Sequence, residues 1–531
     1  MVDNATLGSL LARHVAERPD AVALIDGDRR ITFAEFDRLC TATAGWLQAQ
    51  GIRPGDRVAV WLVNRVEWLA FLFAITRLGA ALMSVNTRFR AAELAHVLER
   101  SQARLLVIQR RFRSIDFDAI LEAMDGSKFT ALERVAVLDA GSELPRSILG
   151  KPTVAYAVDA LGNVPVPADG ASPEALAIFF TTSGTTQGPK LVMHVQRNLA
   201  LHARDVARGM GFDRPGVSTL GVVPFCGTFG LTAALGSLAA GAPVAPMAAF
   251  DAAAVAALVR RHGLTHVFGT DDMLRRMLDV DEATTAMPSI RLAGFVLNED
   301  TARRALARGW PVAGLYGSSE VQALFSLQPS ALPVSERMLG GGLPVGPEVE
   351  IRVRDVDSGE LLPPGRSGEL EIRSPTGFIG YLDNPEATSK AILADGFFRT
   401  GDIGRIRGDG TFVFETRTGD AVRLGGFLVS PVEIEEVIRQ MPGVADAQIV
   451  AVEIERERRA VAFVIRRPDH EPAPTEEAIT EWVKARMAPF KVPARVWFVD
   501  AYPVTFSPNG EKVQRGKLRE MAVARLAETA G

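Results

Sequence analysis

Between Ala21 and Met247 the hydrophobic pattern of the chain keeps switching period. Short apolar or β-branched runs recur: AVALID (Ala21 to Asp26), RVAVWLV (Arg57 to Val63), ALMSVN (Ala81 to Asn86), RLLVI (Arg104 to Ile108), ALAIFF (Ala175 to Phe180), TLGVVPF (Thr219 to Phe225) and APVAPM (Ala242 to Met247). Between them lie stretches patterned for helix: ITFAEFDRLCTATAGWLQAQG (Ile31 to Gly51), VEWLAFLFAITRLGA (Val66 to Ala80), AAELAHVLERS (Ala91 to Ser101), NLALHARDVARGM (Asn198 to Met210) and LTAALGSLAAG (Leu231 to Gly241). Strands joined through helices pair in parallel and carry the helices on their faces, so this rhythm predicts an α/β fold with open, mostly parallel sheets. A Pro- and Gly-containing interval, Gly141 to Ser172, interrupts the rhythm before it resumes, which predicts a second α/β layer. ALAIFF has no polar break, as expected of a strand covered on both faces.

Beyond Gly340 the texture changes. VEIRVRD, GELEIRS and FFRTGDIGRIRGDGTFVFETR alternate in period two and turn at Gly or Asp-Gly, which predicts antiparallel strands and hairpins. A distinct small unit follows, with helices over Pro431 to Gln440 and Thr475 to Met487 and strands around Ala447 to Val452 and Val461 to Ile465. The boundary is placed near Arg417 to Leu424, giving an N-terminal domain of residues 1–418 and a C-terminal domain of residues 419–531.

With 531 residues the chain exceeds one ordinary domain, and 47% hydrophobic and 23% charged residues are ordinary for a soluble globular protein. A net charge of −4 with interspersed signs gives no reason to invoke nucleic acid or a polybasic membrane patch. The two cysteines, Cys40 and Cys226, are far apart, so no disulfide framework or multi-cysteine zinc site is expected, and a cytoplasmic setting fits best. The N-terminus reads as an amphipathic helix rather than a signal peptide, and no apolar run is long enough for a membrane span. His262 and His266 lack the glutamate of an HExxH zinc motif, and His194 and His202 read as helix residues.

Chemistry is concentrated in five segments. The first is FFTTSGTTQGPKLV, Phe179 to Val192, a strand emptying into a polar loop. Its small residues let backbone N–H groups converge; Thr181, Thr182, Ser183, Thr185 and Thr186 add hydroxyls, and Lys190 adds positive charge, a combination suited to polyphosphate. The alternative is a Ser/Thr/Gly-rich linker, against which the flanking apolar segments argue. The common nucleoside triphosphate loop GxxxxGK[ST] is not satisfied, because Gly184 and Gly188 stand too close and Leu191 follows Lys190. In the second segment, GLYGSSE (Gly314 to Glu320), Tyr316 can stack on a base, Ser318 and Ser319 can reach phosphate, and Glu320 can hold a hard divalent cation; the alternative is a turn with a helix cap. In the third, FFRTGDIG (Phe397 to Gly404), Asp402 can accept both hydroxyls of a ribose or serve as an ordinary hairpin Asp. The fourth places Arg417 ahead of a Gly-rich hinge and a helix opened by Pro431. The fifth, PVTFSPNGEKVQRGKLRE, is a turn presenting Lys512.

In this order the five segments resemble the adenylate-forming superfamily of acyl-CoA synthetases, nonribosomal peptide adenylation domains and luciferases, and most closely its acyl-CoA ligases, over nearly the whole chain. The resemblance implies a large N-terminal domain of stacked α/β sheets with a small β-barrel-like subdomain, and a small, mobile α+β C-terminal domain. It implies that Thr181 to Lys190, including Gln187, face the β- and γ-phosphates of ATP. Gly294 and Phe295 fall at the adenine-pocket segment, with Tyr316 against adenine, Ser319 near the α-phosphate, Glu320 on Mg²⁺, and Gly317 and Ser318 among the nucleotide-binding residues. Asp402 would bind ribose with Arg417 assisting, and Lys512 would contact the acyl carboxylate and the α-phosphate, which makes Lys512, Glu320 and Lys190 the implied catalytic set. Phe225, Cys226, Gly227, Phe229, Phe295 and Gly314 would line the acyl pocket; Gly227, Gly425, Gly426 and Phe427 the pantetheine tunnel. The implied reaction joins a carboxylic acid and CoA through an acyl-adenylate.

The departures from the family pattern are specific. Gln187 stands where a glycine usually follows the paired threonines, which keeps the N–H but loses easy access to positive φ. Glu511 precedes Lys512, and Gly419 replaces a more usual Asp or Lys at the hinge. Gly227 stands where many relatives carry an aromatic or His, leaving volume for a bulky or carbocyclic acid unless another side chain fills it. Three alternatives remain beside the two-step CoA ligase. One is a thioesterification-only enzyme fed acyl-adenylate by an upstream adenylating partner, another an enzyme that loads a carrier protein, and the last a nucleotide-binding protein without ligase activity. The partners expected are a small-molecule carboxylic acid and CoA, and a homodimer is compatible with them.

Overall fold

The computed structural model describes residues 5–113, 115–139, 144–158, 161, 169–182, 189–283, 287–296, 299–418, 422–424, 427–429, 431–454, 457–468, 471–487, 489–507 and 510–529. The chain divides into two compact units. The first runs to Glu350 and returns for Ile372–Phe398; the second comprises Ile351–Glu371 and the chain from Arg399 onward.

The first unit contains two α/β sheets. One orders its strands Val312–Ala313, Leu292–Val296, His266–Thr270, Thr219–Gly221, Val244–Pro246, Val22–Asp26 and Arg29–Thr32; all neighbours are parallel except the closing hairpin of the last two. The other runs Gly380–Tyr381, Leu191–Val195, Leu176–Thr181, Ala81–Ser84, Arg57–Trp61, Leu105–Ile108, Arg134–Leu138, Lys151–Tyr156 and Ser147–Ile148. Its centre is parallel, and both ends are antiparallel. Ala81–Ser84 and Leu105–Ile108 are buried at every position, the signature of strands covered on both faces. The helix Val66–Arg77 is buried on almost every face, as its near-continuous apolar sequence requires.

Local sequence explains where elements start and stop. The helical pattern that begins at Ile31 yields a helix only from Phe33, because Thr32 and Glu35 form a reciprocal capping box. The Thr32 N–H donates to Glu35 Oε2 at 2.8 Å, and the Glu35 N–H to Thr32 Oγ1 at 3.1 Å. Ile31 is then free to join the edge hairpin. TLGVVPF likewise ends as a strand at Gly221, since Pro224 cannot donate to a ladder. Asn64 replaces the missing partners: its Nδ2 donates to the carbonyls of Gly221 (2.9 Å) and Val223 (2.8 Å), and its Oδ1 accepts from the Phe225 N–H at 2.7 Å. Past these sheets the first unit adds an antiparallel run of Leu315–Ser318, Gln322–Leu327 and Gly341–Pro344.

In the second unit the strands Phe412–Arg417, Phe398–Ile406, Gly368–Arg373 and Glu350–Arg354 lie side by side in that order. The C-terminal part is α+β. Val444–Ile454 and Glu457–Arg466 pair antiparallel, and Arg495–Phe498 joins the second in parallel. Alternation along these strands splits the core between two faces: Ile449, Ala451 and Ala462 pack with Ile434, Ile438, Ile479 and Val483, while Val450, Val452 and Phe463 pack with Leu518 and Ala522. Glu435, 1% exposed, bridges the first face: it accepts the Ile449 N–H at 2.8 Å and pairs with Arg515 at 2.8 Å and Arg439 at 3.3 Å. Among the described residues, no helix is long and apolar enough to cross a membrane.

Candidate active site

The short strand Leu191–Val195 is the axis of the site in the first unit. On one side it pairs antiparallel with Leu176–Thr181, so that Thr181 faces Leu191. The neck of the polar loop is closed by the Thr182 N–H donating to the Lys190 carbonyl at 3.1 Å and the Lys190 N–H donating to Thr182 Oγ1 at 3.3 Å. Ser183, Gly184, Thr185, Thr186, Gln187 and Gly188 lie outside the described residues. On its other side the strand pairs with Gly380–Tyr381, Val192 facing Tyr381.

His194, expected on a helix, lies on this strand instead, because the period-two ladder to Ile178 runs on to Val195 and the helix starts at Gln196. His202 does lie on that helix. The His194 side chain is fully buried and its Nε2–H donates to the Ser319 carbonyl at 2.7 Å. Burial pushes its pKa down to about 4 against the opposing effect of that hydrogen bond, so the imidazole is neutral at neutral pH.

Glu320 is held from the same direction. Its carbonyl accepts the Phe378 N–H at 2.8 Å, and its Oε1 accepts the Tyr381 hydroxyl at 3.0 Å. Lys190 Nζ sits 4.7 Å from the centroid of the Tyr381 ring. The Tyr381 phenol, 6% exposed, is held well above its ordinary pKa by burial and by the Glu320 charge, which keeps it a donor. Ser318 spends its hydroxyl oxygen on the turn, accepting the N–H groups of Glu320 (3.1 Å) and Val321 (3.3 Å). A strand, Gln322–Leu327, follows this turn rather than a helix. It opens with Gln322 at φ +66° and carries Leu324 at φ +52°, both left-handed. The Gln322 amide holds this shape by donating to the carbonyls of Asn198 (3.1 Å) and Thr376 (2.9 Å). Tyr316 is 7% exposed, edge-on to Phe325 at 6.2 Å. Close backbone approach explains Gly314 and Gly317: an added Cβ would lie 2.1 Å from the Leu339 carbonyl oxygen and 2.5 Å from Ala323 Cα. Gly294 packs as tightly against Leu315 and Phe268, each 2.8 Å from a Cβ placed there.

In the acyl-wall segment, Phe225 is fully buried against Trp68 at 5.8 Å, and Phe229 packs edge-on to Phe268 at 6.2 Å. The Cys226 thiol is buried and pushed up to about 11 by that burial, so it is no thiolate nucleophile. Gly227 caps the helix Thr228–Ala240, and a Cβ there would meet only the Pro224 carbonyl, at 3.7 Å. The backbone of Phe295 pairs with Gly269, while its side chain lies outside the described residues. His262 and His266 engage separate carbonyls, of Gly27 and Met210.

In the second unit Asp402 and Arg417 face each other across two adjacent strands, with Arg417 Nε 3.3 Å from Asp402 Oδ1. Asp402 is 3% exposed, so the guanidinium compensates a carboxylate withdrawn from water. Lys512 lies on the hairpin strand Gly510–Val513 with Thr505 opposite; its side chain, that of Phe427, and the whole of Gly419, Gly425 and Gly426 lie outside the described residues.

Tyr381 and His194 are the residues that sequence reasoning misses. The chain has only 4 tyrosines, and one of them following glycine just ahead of the helix start at Asn384–Pro385 was the available signal.

The family model for AMP-binding enzymes matches residues 11–382, and the model for their C-terminal domain matches residues 433–508. The chain belongs to the AMP-binding enzyme family and is an adenylate-forming ligase. It is 31% identical to a 3-[(3aS,4S,7aS)-7a-methyl-1,5-dioxo-octahydro-1H-inden-4-yl]propanoyl:CoA ligase of Rhodococcus jostii (strain RHA1), across 97% of this chain and 98% of that one. It is also 31% identical to the fatty acid–[acyl-carrier-protein] ligase ScoC of Streptomyces coeruleorubidus, over 97% of this chain and 96% of that one. Among solved structures, the anthranilate CoA ligase AuaEII in complex with anthranoyl-AMP superposes with a TM-score of 0.83 at 24% identity, covering 99% of this chain and 98% of that one.

Proposed function

We propose that the protein is an ATP-dependent acyl-CoA ligase acting on a bulky or carbocyclic carboxylic acid. The observation that carries this reading is the meeting of Lys190, Glu320 and Tyr381 beside the strand Leu191–Val195: a cation and a carboxylate at the neck of a hydroxyl-rich loop are what a metal-bound polyphosphate requires. Support for the acid comes from the open space at Gly227 and from the Rhodococcus relative, whose name specifies a fused-ring propanoyl substrate.

In the first step a carboxylate oxygen of the acid attacks the α-phosphorus of ATP and pyrophosphate leaves. In the second the CoA thiol, giving up its proton, attacks the acyl carbonyl and AMP leaves. Thr181 to Lys190 bind the β- and γ-phosphates, Asp402 and Arg417 hold the ribose, and Lys512 draws together the acyl carboxylate and the α-phosphate. Negative charge develops on oxygens in both steps, so fixed donors and cations supply the stabilisation, and no protein nucleophile takes part. Glu320 alone suits a Mg²⁺ ion that arrives on the nucleotide, and among the described residues no cluster of three acidic, His or Cys side chains forms a protein cage. When bound, that ion neutralises phosphate charge. The domain of residues 419–531 is assigned the mobile role, with Gly425, Gly426 and Phe427 on the pantetheine path. Two buried, free cysteines fit a cytoplasmic setting.

The test is acid-dependent exchange of labelled pyrophosphate into ATP across a panel of linear and carbocyclic acids, followed by CoA and a phosphopantetheinyl carrier as acceptors. Exchange with carbocyclic acids and thioester formation on CoA are expected. Thioester from synthetic adenylate without exchange would replace this reading by thioesterification alone, the alternative Gln187 raises; transfer to the carrier only would make the protein a carrier-loading enzyme.

A further inference from the structure

We infer that Tyr381 is a positioning residue that sets the Glu320 carboxylate and the Lys190 ammonium in one arrangement before nucleotide binds; this rests on the assignment above of Glu320 to the cation and Lys190 to the phosphates. Tyr381 is itself well fixed. Its backbone pairs with Val192, its N–H donates to Thr388 Oγ1 at 3.0 Å, and its ring packs on Phe378 at 5.0 Å. From that platform it acts on two groups by different means. The hydroxyl donates to Glu320 Oε1 at 3.0 Å, which fixes the plane of the carboxylate and leaves Oε2 for a metal ion. The face of the ring lies 4.7 Å from Lys190 Nζ, which gives a long, flexible side chain a preferred place at the neck of the loop. The same segment also grips the Glu320 main chain through the Phe378 N–H, so backbone and side chain of the acid are set by one stretch. Lys190 and Glu320 have opposite charges yet touch through an aromatic ring rather than as a direct ion pair, so each remains available to a different part of one ligand.

The two functions separate in two variants. Tyr381→Phe keeps the ring under Lys190 and removes the hydroxyl; Tyr381→Leu removes both. Binding of a non-hydrolysable ATP analogue to the full-length protein is measured by calorimetry across a Mg²⁺ series and without Mg²⁺, together with thermal unfolding. For Tyr381→Phe the Mg²⁺ midpoint should rise about tenfold, the loss of one charged hydrogen bond, while metal-free affinity stays within about twofold. For Tyr381→Leu metal-free affinity should fall as well. A Tyr381→Phe protein with the wild-type Mg²⁺ midpoint overturns the inference, as does an equal loss in both variants that tracks a lowered Tm. If the wild-type protein binds no nucleotide, the functional reading fails rather than the role of Tyr381.

Discussion

Two clusters of candidate site residues are built in opposite ways. Asp402 and Arg417 are partners on adjacent strands of one hairpin, 15 positions apart, and register alone brings them together. Lys190, His194, Glu320 and Tyr381 come from segments up to about 190 positions apart and meet only because one short strand pairs with two others and contacts a turn. A hairpin site needs only its own turn to be right. A site gathered on a strand inherits every register on the way, and it is secured by buried groups with no part in chemistry, His194 and Gln322 among them.

The sharpest test of the hairpin pair is Asp402→Ala. If Asp402 takes the ribose diol, kcat/KM for ATP should fall by roughly 10³-fold, since a charged acceptor is lost and Arg417 loses its partner. Arg417→Ala, at a half-exposed side chain, should cost about tenfold. Equal effects in steady-state kinetics would break the asymmetry between the buried carboxylate and the half-exposed guanidinium.

A purely structural contrast comes from Glu435. Glu435→Ala leaves the Ile449 N–H unmet and removes the buried carboxylate shared by Arg439, which keeps Asp446 at 2.6 Å, and Arg515, which keeps the Ile449 carbonyl at 3.2 Å; the stability of the C-terminal part should fall by about 2 kcal/mol in denaturant unfolding. Nucleotide binding by the first unit's residues should persist under conditions where both units remain folded.

Acid should separate the units. His194, His202 and His266 are held near a pKa of about 4 by burial, below their unfolded value. The unfolded chain therefore takes up protons first as pH falls, and stability is lost between about pH 6.5 and about pH 4, each histidine contributing about 1.4 kcal/mol per pH unit within that window. All three belong to the first unit. Thermal melts across this range should show that unit failing first, and His194→Gln should flatten the slope by one proton.

The smallest effect is expected at Gly227. Replacement by alanine meets open space, so stability should move by less than about 0.5 kcal/mol, with the preference among acids shifting toward slimmer chains in competition assays.

What the sequence alone reveals follows the same division. The α/β rhythm is legible because each element carries its own period, and the polar loop, Glu320, Asp402, Arg417 and Lys512 are singled out as candidates because their residue types sit in contiguous motifs. Tyr381 and His194 are not, since nothing within ten residues of either tells which strand lies beside it. The length of TLGVVPF is also misjudged for a non-local reason: the groups that satisfy its backbone belong to Asn64, more than 150 positions earlier.

That asparagine has a wider consequence. It hangs from the end of Arg57–Trp61 in one sheet and grips the segment leading from the other sheet to Gly227, so the wall assigned to the acyl group is tethered to the spacing between the sheets. The buried helix Val66–Arg77 begins two residues after Asn64, and its Trp68 packs on Phe225. Selection for substrate size and selection for core packing therefore draw on the same residues, and a change of volume at Trp68 should register in the choice of acid as well as in the melting temperature.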